Sequence, residues 1–433
     1  MMEAFKQLKE LIKKKSAKVC VIGGGYVGLP IAVEFAKKGF KTVVFDIDAK
    51  KIEMINRGES YIEDVPSEEL SPLVKSGKLE GMNDKGVIST SNVIIITVPT
   101  PLNERHEPDL SYINRAFNDI ADYMQPPVLI SLESTTYPGN TEEMGDFLRG
   151  RGYKYGEDFF LGFSPERINP GDRVWKFHNT PKIVGGLDPL STQLLVELYS
   201  TVVEKVVPVS NSRTAELTKL LENTFRAVNI ALVNEFAIIS HKLNVDVWEV
   251  IEAAGTKPFG FVKFYPGPGV GGHCIPIDPL YLLWKVRQLG INAEFIELAD
   301  KVNRYMPRFV VSLLEEALSQ GGRVLAGERV LIVGIAYKKN ISDTRESPAI
   351  EIIKILREKG AEVSYHDPYV PRFGEMKSKG LKEGLEWTDI VVITTDHDNI
   401  DYNLIGEKAE IIVDTRNVMR RKGINPIGKL VVL

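Results

Sequence analysis

Apolar runs of five or six residues at Lys18–Ile22, Thr42–Asp46, Val93–Val98, Val128–Leu132 and Phe159–Phe163 alternate with stretches of helical period. That alternation predicts repeated βαβ units and a parallel sheet. Gly39 follows Lys37 and Lys38, where a helix closing on a left-handed residue is expected. From Ser212 the texture changes. Arg213–Leu243 contains neither Pro nor Gly and reads as one long helix with a broad apolar stripe (Leu217, Leu220, Leu221, Phe225, Val228, Leu232, Phe236, Ile239). Such a stripe predicts burial against other helices or a second subunit.

A helix is expected over Val245–Ala254, then a loop dense in Gly and Pro from Lys257 to Pro279, then helical segments from Leu280 and Glu294. A second α/β region opens at Arg323–Glu328. Its strands are Arg329–Val333, Glu362–His366, Ile390–Thr394 and Glu410–Val413, with Ser347 as N-cap, Pro348 at the first helical position and Gly360 at the helix end. The fold class read from this is α/β, with two Rossmann-like doubly wound domains joined by a central helical domain built on one long helix. The boundaries fall at 1–210, 211–322 and 323–433.

Composition narrows the function. A chain of 433 residues suits about three domains. With 54 basic and 58 acidic side chains the net charge is −4, so nucleic acid is not expected as a partner. No apolar run approaches the about 18 residues that span a bilayer. The basic start (Lys6, Lys9, Lys13, Lys14, Lys15, Lys18) leads into a short strand and reads as neither leader nor membrane anchor. Two cysteines, Cys20 and Cys274, exclude a disulfide scaffold and fit a reducing cytoplasm. The six histidines show no ligand spacing with either cysteine, so no metal is expected. A cytoplasmic enzyme acting on small molecules is the class that remains.

The strand Lys18–Ile22 runs into Gly23-Gly-Gly25-Tyr26-Val27-Gly28, then a helix, then a strand ending at Asp46. Gly23 permits the tight turn, Gly25 lets backbone approach a pyrophosphate, and Gly28 allows helix and strand to pack closely. The helix N-terminus offers N–H groups to the phosphates. Asp46 would accept from the ribose hydroxyls and repel a 2′-phosphate, which selects NAD. Lys50 and Lys51 lie nearby. Cys20, on the preceding strand, reads as a small buried filler.

Cys274 lies in Gly267-Pro-Gly-Val-Gly271-Gly-His273-Cys274-Ile-Pro-Ile277-Asp278-Pro. Glycines before it admit a substrate and prolines after it stiffen the exit, as an accessible nucleophile requires. Lys219 and Asn223 stand at i and i+4 on the long helix and share a face. Together they could hold a developing oxyanion; spacing alone leaves a solvated face equally open.

The motifs now form an ordered set: Val21-Ile-Gly-Gly-Gly-Tyr-Val-Gly-Leu-Pro30, Val98-Pro-Thr-Pro101, Glu133-Ser-Thr-Thr-Tyr-Pro-Gly139, Ser164-Pro-Glu-Arg167, Glu216-x-x-Lys219-x-x-x-Asn223, Gly271-Gly-His-Cys274, Asp343-Thr-Arg-Glu-Ser347 and Asp414-Thr-Arg416. With them the chain resembles the UDP-glucose/GDP-mannose dehydrogenase family from Lys18 to Asn417. The resemblance implies oxidation of a nucleotide-sugar C6 hydroxyl to a carboxylate with two NAD and no released aldehyde. It implies Cys274 as the thiohemiacetal and thioester nucleophile, Lys219 and Asn223 on the oxyanions, and Asp278 positioning a water as proton acceptor. Glu166 would be the base of thioester hydrolysis and Thr135 would bind its water. It also implies that Gly23, Gly25, Tyr26, Val27, Gly28, Asp46, Pro99, Thr100, Thr135 and Arg345 bind NAD. The substrate set would be Glu166, Arg167, Lys219, Asn223, Lys257, Phe264, Tyr265, Gly271, Lys338 and Arg416, with UDP on the last domain. The long helix would form a homodimer or higher homo-oligomer.

Ile277 before Asp278, where UDP-glucose enzymes commonly carry Lys, and the run Lys257-Pro-Phe-Gly-Phe resemble the branch acting on UDP-N-acetylhexosamines. Gly58-Glu-Ser-Tyr-Ile-Glu-Asp-Val65 and Tyr281-Leu-Leu-Trp284 fit the UDP-N-acetylglucosamine enzymes best, with UDP-N-acetylmannosamine enzymes as the near alternative. A product of this kind suits surface polysaccharide or glycan precursors. Three rivals differ in class. A two-electron β-hydroxyacid dehydrogenase would need neither Cys274 nor residues 329–433, and a nucleotide-sugar sensor would need no Cys274. A sugar epimerase could use Tyr281-x-x-x-Lys285, but that pair reads as a helix start with Tyr281 packed inward.

Overall fold

The structure is a computed structural model and describes residues 2–62, 64–168 and 174–433; Glu63 of the Gly58–Val65 motif lies outside them. Two units emerge: Met1–Glu222 with Leu280–Leu289, and Asn223–Pro279 with Gly290–Leu433. The boundary falls inside the helix Ser212–Leu243, which is continuous as its sequence predicts.

The first unit holds an eight-stranded sheet: β1 (Lys18–Ile22), β2 (Lys41–Phe45), β3 (Leu79–Met82), β4 (Val93–Ile96), β5 (Val128–Leu132), β6 (Phe159–Phe163), β7 (Lys182–Gly186) and β8 (Val206–Pro208). Their order is β3-β2-β1-β4-β5-β6-β7-β8. The five expected strands are present within two residues at each end; β3, β7 and β8 were not foreseen. Nor was the antiparallel join of β6 to β7, which pairs Gly162 with Gly186. A Cβ on Gly162 would lie 2.6 Å from the Gly185 carbonyl oxygen, so the join needs glycine. The basic N-terminus forms the helix Met2–Lys13. It buries Phe5, Leu8 and Ile12 on one face and leaves its lysines outside that stripe. Phe5 meets Phe160 edge-on at 6.3 Å.

In the second unit, β9 (Arg329–Val333), β10 (Glu362–His366), β13 (Ile390–Ile393), β14 (Ile411–Asp414) and β15 (Lys429–Val432) form a parallel sheet in the order β10-β9-β13-β14-β15. The short pair β11 (Arg372–Phe373) and β12 (Met376–Lys377) stands apart. Pro348 opens its helix as expected, but the Ser347 hydroxyl makes no capping bond. The helix expected from Val245 starts at Val247, because the Asp246 carboxylate accepts from the Trp248 N–H at 2.9 Å. Gly39 closes its helix at φ +101°, donating to the Ala36 carbonyl.

Within the chain the long helix turns most of its apolar stripe outward. Of the eight stripe residues, Leu217, Leu221, Phe225, Leu232, Phe236 and Ile239 are exposed and Leu220 is buried, and the buried side carries Ala215, Ala227, Ala231, Val233 and Ala237 as well.

Candidate active site

The two α/β regions repeat one device. Gly23 (φ +101°) turns out of β1 with its N–H on the Phe45 carbonyl, and the Thr97 hydroxyl donates to the Gly23 carbonyl at 2.9 Å. Gly334 (φ +89°) turns out of β9 with its N–H on His366, and the Thr394 hydroxyl donates to the Gly334 carbonyl. An aspartate after the next strand caps each turn: Asp46 accepts from Gly24 N–H at 2.8 Å, Asp367 from Ile335 N–H at 2.7 Å.

Their surroundings then diverge. Asp46 keeps some exposure, with Lys51 Nζ at 3.4 Å from one oxygen. Asp367 is sealed: His397 Nε2 lies 3.1 Å away, the Asn340 N–H donates to His397 Nδ1, and both side chains are fully buried. Only the first turn can offer its carboxylate to a ribose. That turn also fits a pyrophosphate. A Cβ on Gly25 would meet nothing within 4 Å, whereas one on Gly28 would lie 1.8 Å from the Gly23 carbonyl oxygen. Tyr61, unforeseen in this role, donates to the Gly24 carbonyl at 2.5 Å and fixes the turn from outside. Tyr26 is exposed, Val27 half-buried, Pro99 exposed and Thr100 buried. Arg345 belongs to the second unit, where Asp343 grips its guanidinium at 2.6 Å. Cys20 is buried, and burial pushes its thiol up to about 12, so it is inert as read.

Within the first unit, the loop Glu133–Gly139 lies beside Val98, whose carbonyl accepts from Ser134 at 2.8 Å, and Thr135 is buried there. Glu216 anchors the loop's far end, accepting from Gly139 N–H, Thr141 N–H and the Thr141 hydroxyl at 2.6–2.9 Å. It thereby caps the helix Asn140–Gly150 from outside that helix. Lys219, one turn further along the long helix, is buried and donates to the Glu166 carbonyl at 2.7 Å. The solvated-face alternative for Lys219 and Asn223 is thus removed. The Glu166 carboxylate accepts from the N–H groups of Arg167 and Ile168, both at 2.6 Å, and from Lys182 at 2.9 Å. Burial pushes Glu166 up, but Lys182 and these N–H groups more than reverse it, so the carboxyl sits below its ordinary range. Arg167, expected on substrate, grips Glu222 at 2.6 Å and the Pro181 carbonyl at 2.8 Å.

Within the second unit, Cys274 is partly exposed in a tight turn, its carbonyl accepting from Asp278 N–H at 2.8 Å. Asp278 opens the helix Asp278–Gln288, and its buried carboxylate accepts from the Asn223 amide at 2.5 Å. The glycines ahead of the cysteine are shaped by their neighbours. A Cβ on Gly267 would lie 2.9 Å from Arg416 Nη1, and one on Gly271 would lie 2.6 Å from Tyr337. Gly272 N–H donates to the Arg345 carbonyl at 2.9 Å. Arg416 Nε donates to the Thr394 carbonyl at 2.9 Å, and Lys338 is half-buried on the Gly334 turn. Tyr265 stacks on Trp248 and Phe264 packs edge-on to Phe225, while exposed Lys257 lies 5.0 Å from the Phe259 ring centre. The sequence reading gave no role to Glu133, Lys182, Tyr199 or Glu216. The signal was there for two of them, as charged residues at the ends of buried strands: Glu133 just past β5 and Lys182 opening β7.

Residues 17–203 match the NAD binding domain of the UDP-glucose/GDP-mannose dehydrogenase family, 213–305 its central domain and 331–421 its UDP binding domain. The chain belongs to this family. It is an NAD-dependent oxidoreductase acting on a UDP-sugar. The UDP-N-acetyl-D-mannosamine dehydrogenase of Pyrococcus horikoshii is 38% identical over 419 residues, 95% of this chain and 97% of that protein. A solved structure of the UDP-D-ManNAc dehydrogenase from that organism superposes with a TM-score of 0.89 at 37% identity, covering 96% of this chain and 98% of its own. The UDP-N-acetyl-D-glucosamine 6-dehydrogenase of Pseudomonas aeruginosa is 38% identical over 371 residues, 85% of this chain and 86% of that protein. The epimerase alternative fails on geometry: Tyr281 is fully buried with its hydroxyl on the Pro101 carbonyl, and Lys285 pairs with Glu143. Among the described residues, no helix is long and apolar enough to cross a membrane, and no His, Cys, Asp and Glu cluster is arranged to hold a metal ion.

Proposed function

We propose that this enzyme oxidises the C6 hydroxyl of a UDP-N-acetylhexosamine to the uronate in two successive two-electron steps, with Cys274 as the nucleophile. The observation that carries the reading is Cys274 itself, a partly exposed thiol one turn ahead of an Asp278 carboxylate fixed by Asn223. Bound NAD supplies the hydride acceptor for both oxidations, one NAD for each. The rest falls to the chain. Asp278 orients a water that takes the hydroxyl proton; the Cys274 thiolate adds to the aldehyde carbon; Lys219 and Asn223 donate to the oxyanion. After the second oxidation the sugar is held as a thioester. Thr135 positions a water, Glu166 takes its proton, and the carbon–sulfur bond breaks to release the carboxylate and Cys274. We assign NAD to residues 1–210, the catalytic Lys and Cys to 211–322, and UDP to 323–433 through Lys338 and Arg416. The sealed Asp367 supports the last assignment, since it leaves that turn no carboxylate for a ribose.

The C2 epimer divides the readings. The motifs at Gly58–Val65 and Tyr281–Trp284 favour the gluco sugar. The manno sugar is the second reading, favoured by the greater length over which the Pyrococcus horikoshii protein matches. The exposed stripe on the long helix supports a second copy of this chain as partner. Two free cysteines suit a cytoplasmic setting. The test is initial-rate NADH formation with UDP-N-acetylglucosamine, UDP-N-acetylmannosamine and UDP-glucose in parallel, with NADH counted per sugar. Two NADH per N-acetylhexosamine are expected. One NADH per sugar, undiminished activity in Cys274→Ala, or a preference for UDP-glucose overturns the proposal.

A further inference from the structure

Behind Glu166 lies a buried group of charges that the reaction above leaves unused. Lys182, the first residue of β7, donates to Glu166 at 2.9 Å and to Glu133, just past β5, at 2.5 Å. Tyr199 donates to the other oxygen of Glu133 and shares a 2.7 Å hydrogen bond with Ser131. The rings of Phe177 and Tyr199 lie 5.1 and 5.2 Å from the ammonium. All three charged side chains are at least nine-tenths removed from solvent. The Glu166 main-chain carbonyl is held by Lys219, and neighbouring Arg167 is neutralised by Glu222.

One ammonium between two carboxylates leaves this trio a surplus negative charge, and burial makes such a charge costly. The two carboxylates differ in what they accept. Glu166 has two backbone N–H groups in addition to the ammonium; Glu133 has a neutral phenol. The surplus charge is therefore best removed at Glu133. The same surroundings set the two carboxyls apart: burial first, with Glu166 adding to it against Lys182, pushes Glu133 up to about 7, while Lys182 and the N–H groups hold Glu166 below its ordinary range.

We propose that Lys182 and Glu133 are positioning residues for Glu166: the shared ammonium holds Glu166 as an ionised, fixed base, and Glu133 anchors that ammonium and carries the surplus proton of the trio. The inference rests on Glu166 being the base of thioester hydrolysis. In that step Glu166 takes a proton from the attacking water, the water oxygen bonds to the acyl carbon, the carbon–sulfur bond breaks, and the proton passes to bulk water. A carboxyl that had lost its ammonium partner would hold its proton to higher pH and accept less readily below that point.

The experiment follows the lifetime of the Cys274 acyl-enzyme by rapid quench and intact mass, from pH 4 to 9, with NAD and the N-acetylhexosamine substrate. Lys182→Met should raise the acid limb of hydrolysis by at least about one pH unit, lengthening the acyl-enzyme lifetime about tenfold below that limb, while Lys182→Arg keeps it near the parent's. Glu133→Gln, whose amide oxygen still accepts from Lys182 while its NH2 can donate to the Tyr199 oxygen, should leave the limb in place or lower it. Glu133→Gln/Lys182→Met removes a carboxylate together with the cation and guards against a Lys182→Met chain that fails to fold; its limb should also rise. A purely structural pair would slow hydrolysis equally at every pH. Coincident limbs in parent and the Lys182→Met variants, or a raised limb in Glu133→Gln, overturn the proposal while Glu166→Gln still stalls at the acyl-enzyme. Normal hydrolysis in Glu166→Gln instead overturns the role of Glu166, and this inference with it.

Discussion

Gly25 and Gly28 sit three residues apart in the dinucleotide turn and should respond to alanine in opposite ways. At Gly28 the new methyl would lie 1.8 Å from the Gly23 carbonyl oxygen and 2.5 Å from the Thr97 hydroxyl, which is itself bonded to Ile22 and Gly23. Backbone must move, and overpacking of this severity costs about 3 kcal/mol or more. For a unit of this size that lowers the midpoint of thermal unfolding by about 6–12 °C. At Gly25 nothing lies within 4 Å of the new methyl, and the residue is not among those with positive φ. Gly25→Ala should therefore fold as well as the parent, or gain about 0.4–1 kcal/mol from a stiffer unfolded chain. Its methyl instead occupies the space where the pyrophosphate approaches, so NAD affinity should fall at least about tenfold, or about 1.4 kcal/mol. Near-ultraviolet circular dichroism without NAD reads the first effect and titration calorimetry with NAD the second. Gly25→Ala that binds NAD like the parent, or Gly28→Ala that melts with it, would refute the division of labour.

Three further outcomes follow from other parts of the molecule. Tyr281→Phe should cost about 1 kcal/mol for the bond to the Pro101 carbonyl and leave kcat unchanged; loss of hydride transfer would reinstate the Tyr-x-x-x-Lys alternative. Burial raises Glu216 from 4.5 to about 7, so its stabilisation is complete below pH 4.5 and is lost as pH rises through 7. Denaturant titrations at pH 4 and pH 8 should show the parent losing about 3 kcal/mol relative to Glu216→Gln over that range, and parallel pH curves would contradict it. Phe236→Asp places a charge on the exposed stripe of the long helix and should reduce the proposed homo-oligomer to smaller species by light scattering; an unchanged mass would contradict an interface on that stripe.

What could be read in advance was local chemistry. The glycine fingerprint, the strands Lys18–Ile22, Val128–Leu132 and Phe159–Phe163, and the setting of Cys274 each declare themselves within a dozen residues. What could not be read depended on partners distant in sequence. Lys182 and Glu133 are 49 residues apart and become one feature only when β7 and β5 enter the same sheet. That the Arg167 guanidinium pairs with Glu222, 55 residues on, is likewise not visible in the local sequence. The N-terminal helix was hidden because its lysines drew attention to charge, while Phe5, Leu8 and Ile12 carry the periodicity. The long helix was legible as a helix but not in its orientation, because four alanines join Leu220 and Val233 on the inward side while six of the large stripe residues face out.

The peptide that carries Cys274 takes its shape from residues about 65 to 150 positions further along the chain. Gly267 fits under Arg416, Gly269 against Pro348, and Gly271 and Gly272 against Tyr337. Loop and C-terminal sheet are thus inherited as one piece. Recombination between relatives that exchanges residues 323–433 alone should pair a foreign surface with these four glycines and displace the sulfur, however well each half folded. A working chimera should carry residues 267–278 along with the sheet they rest on.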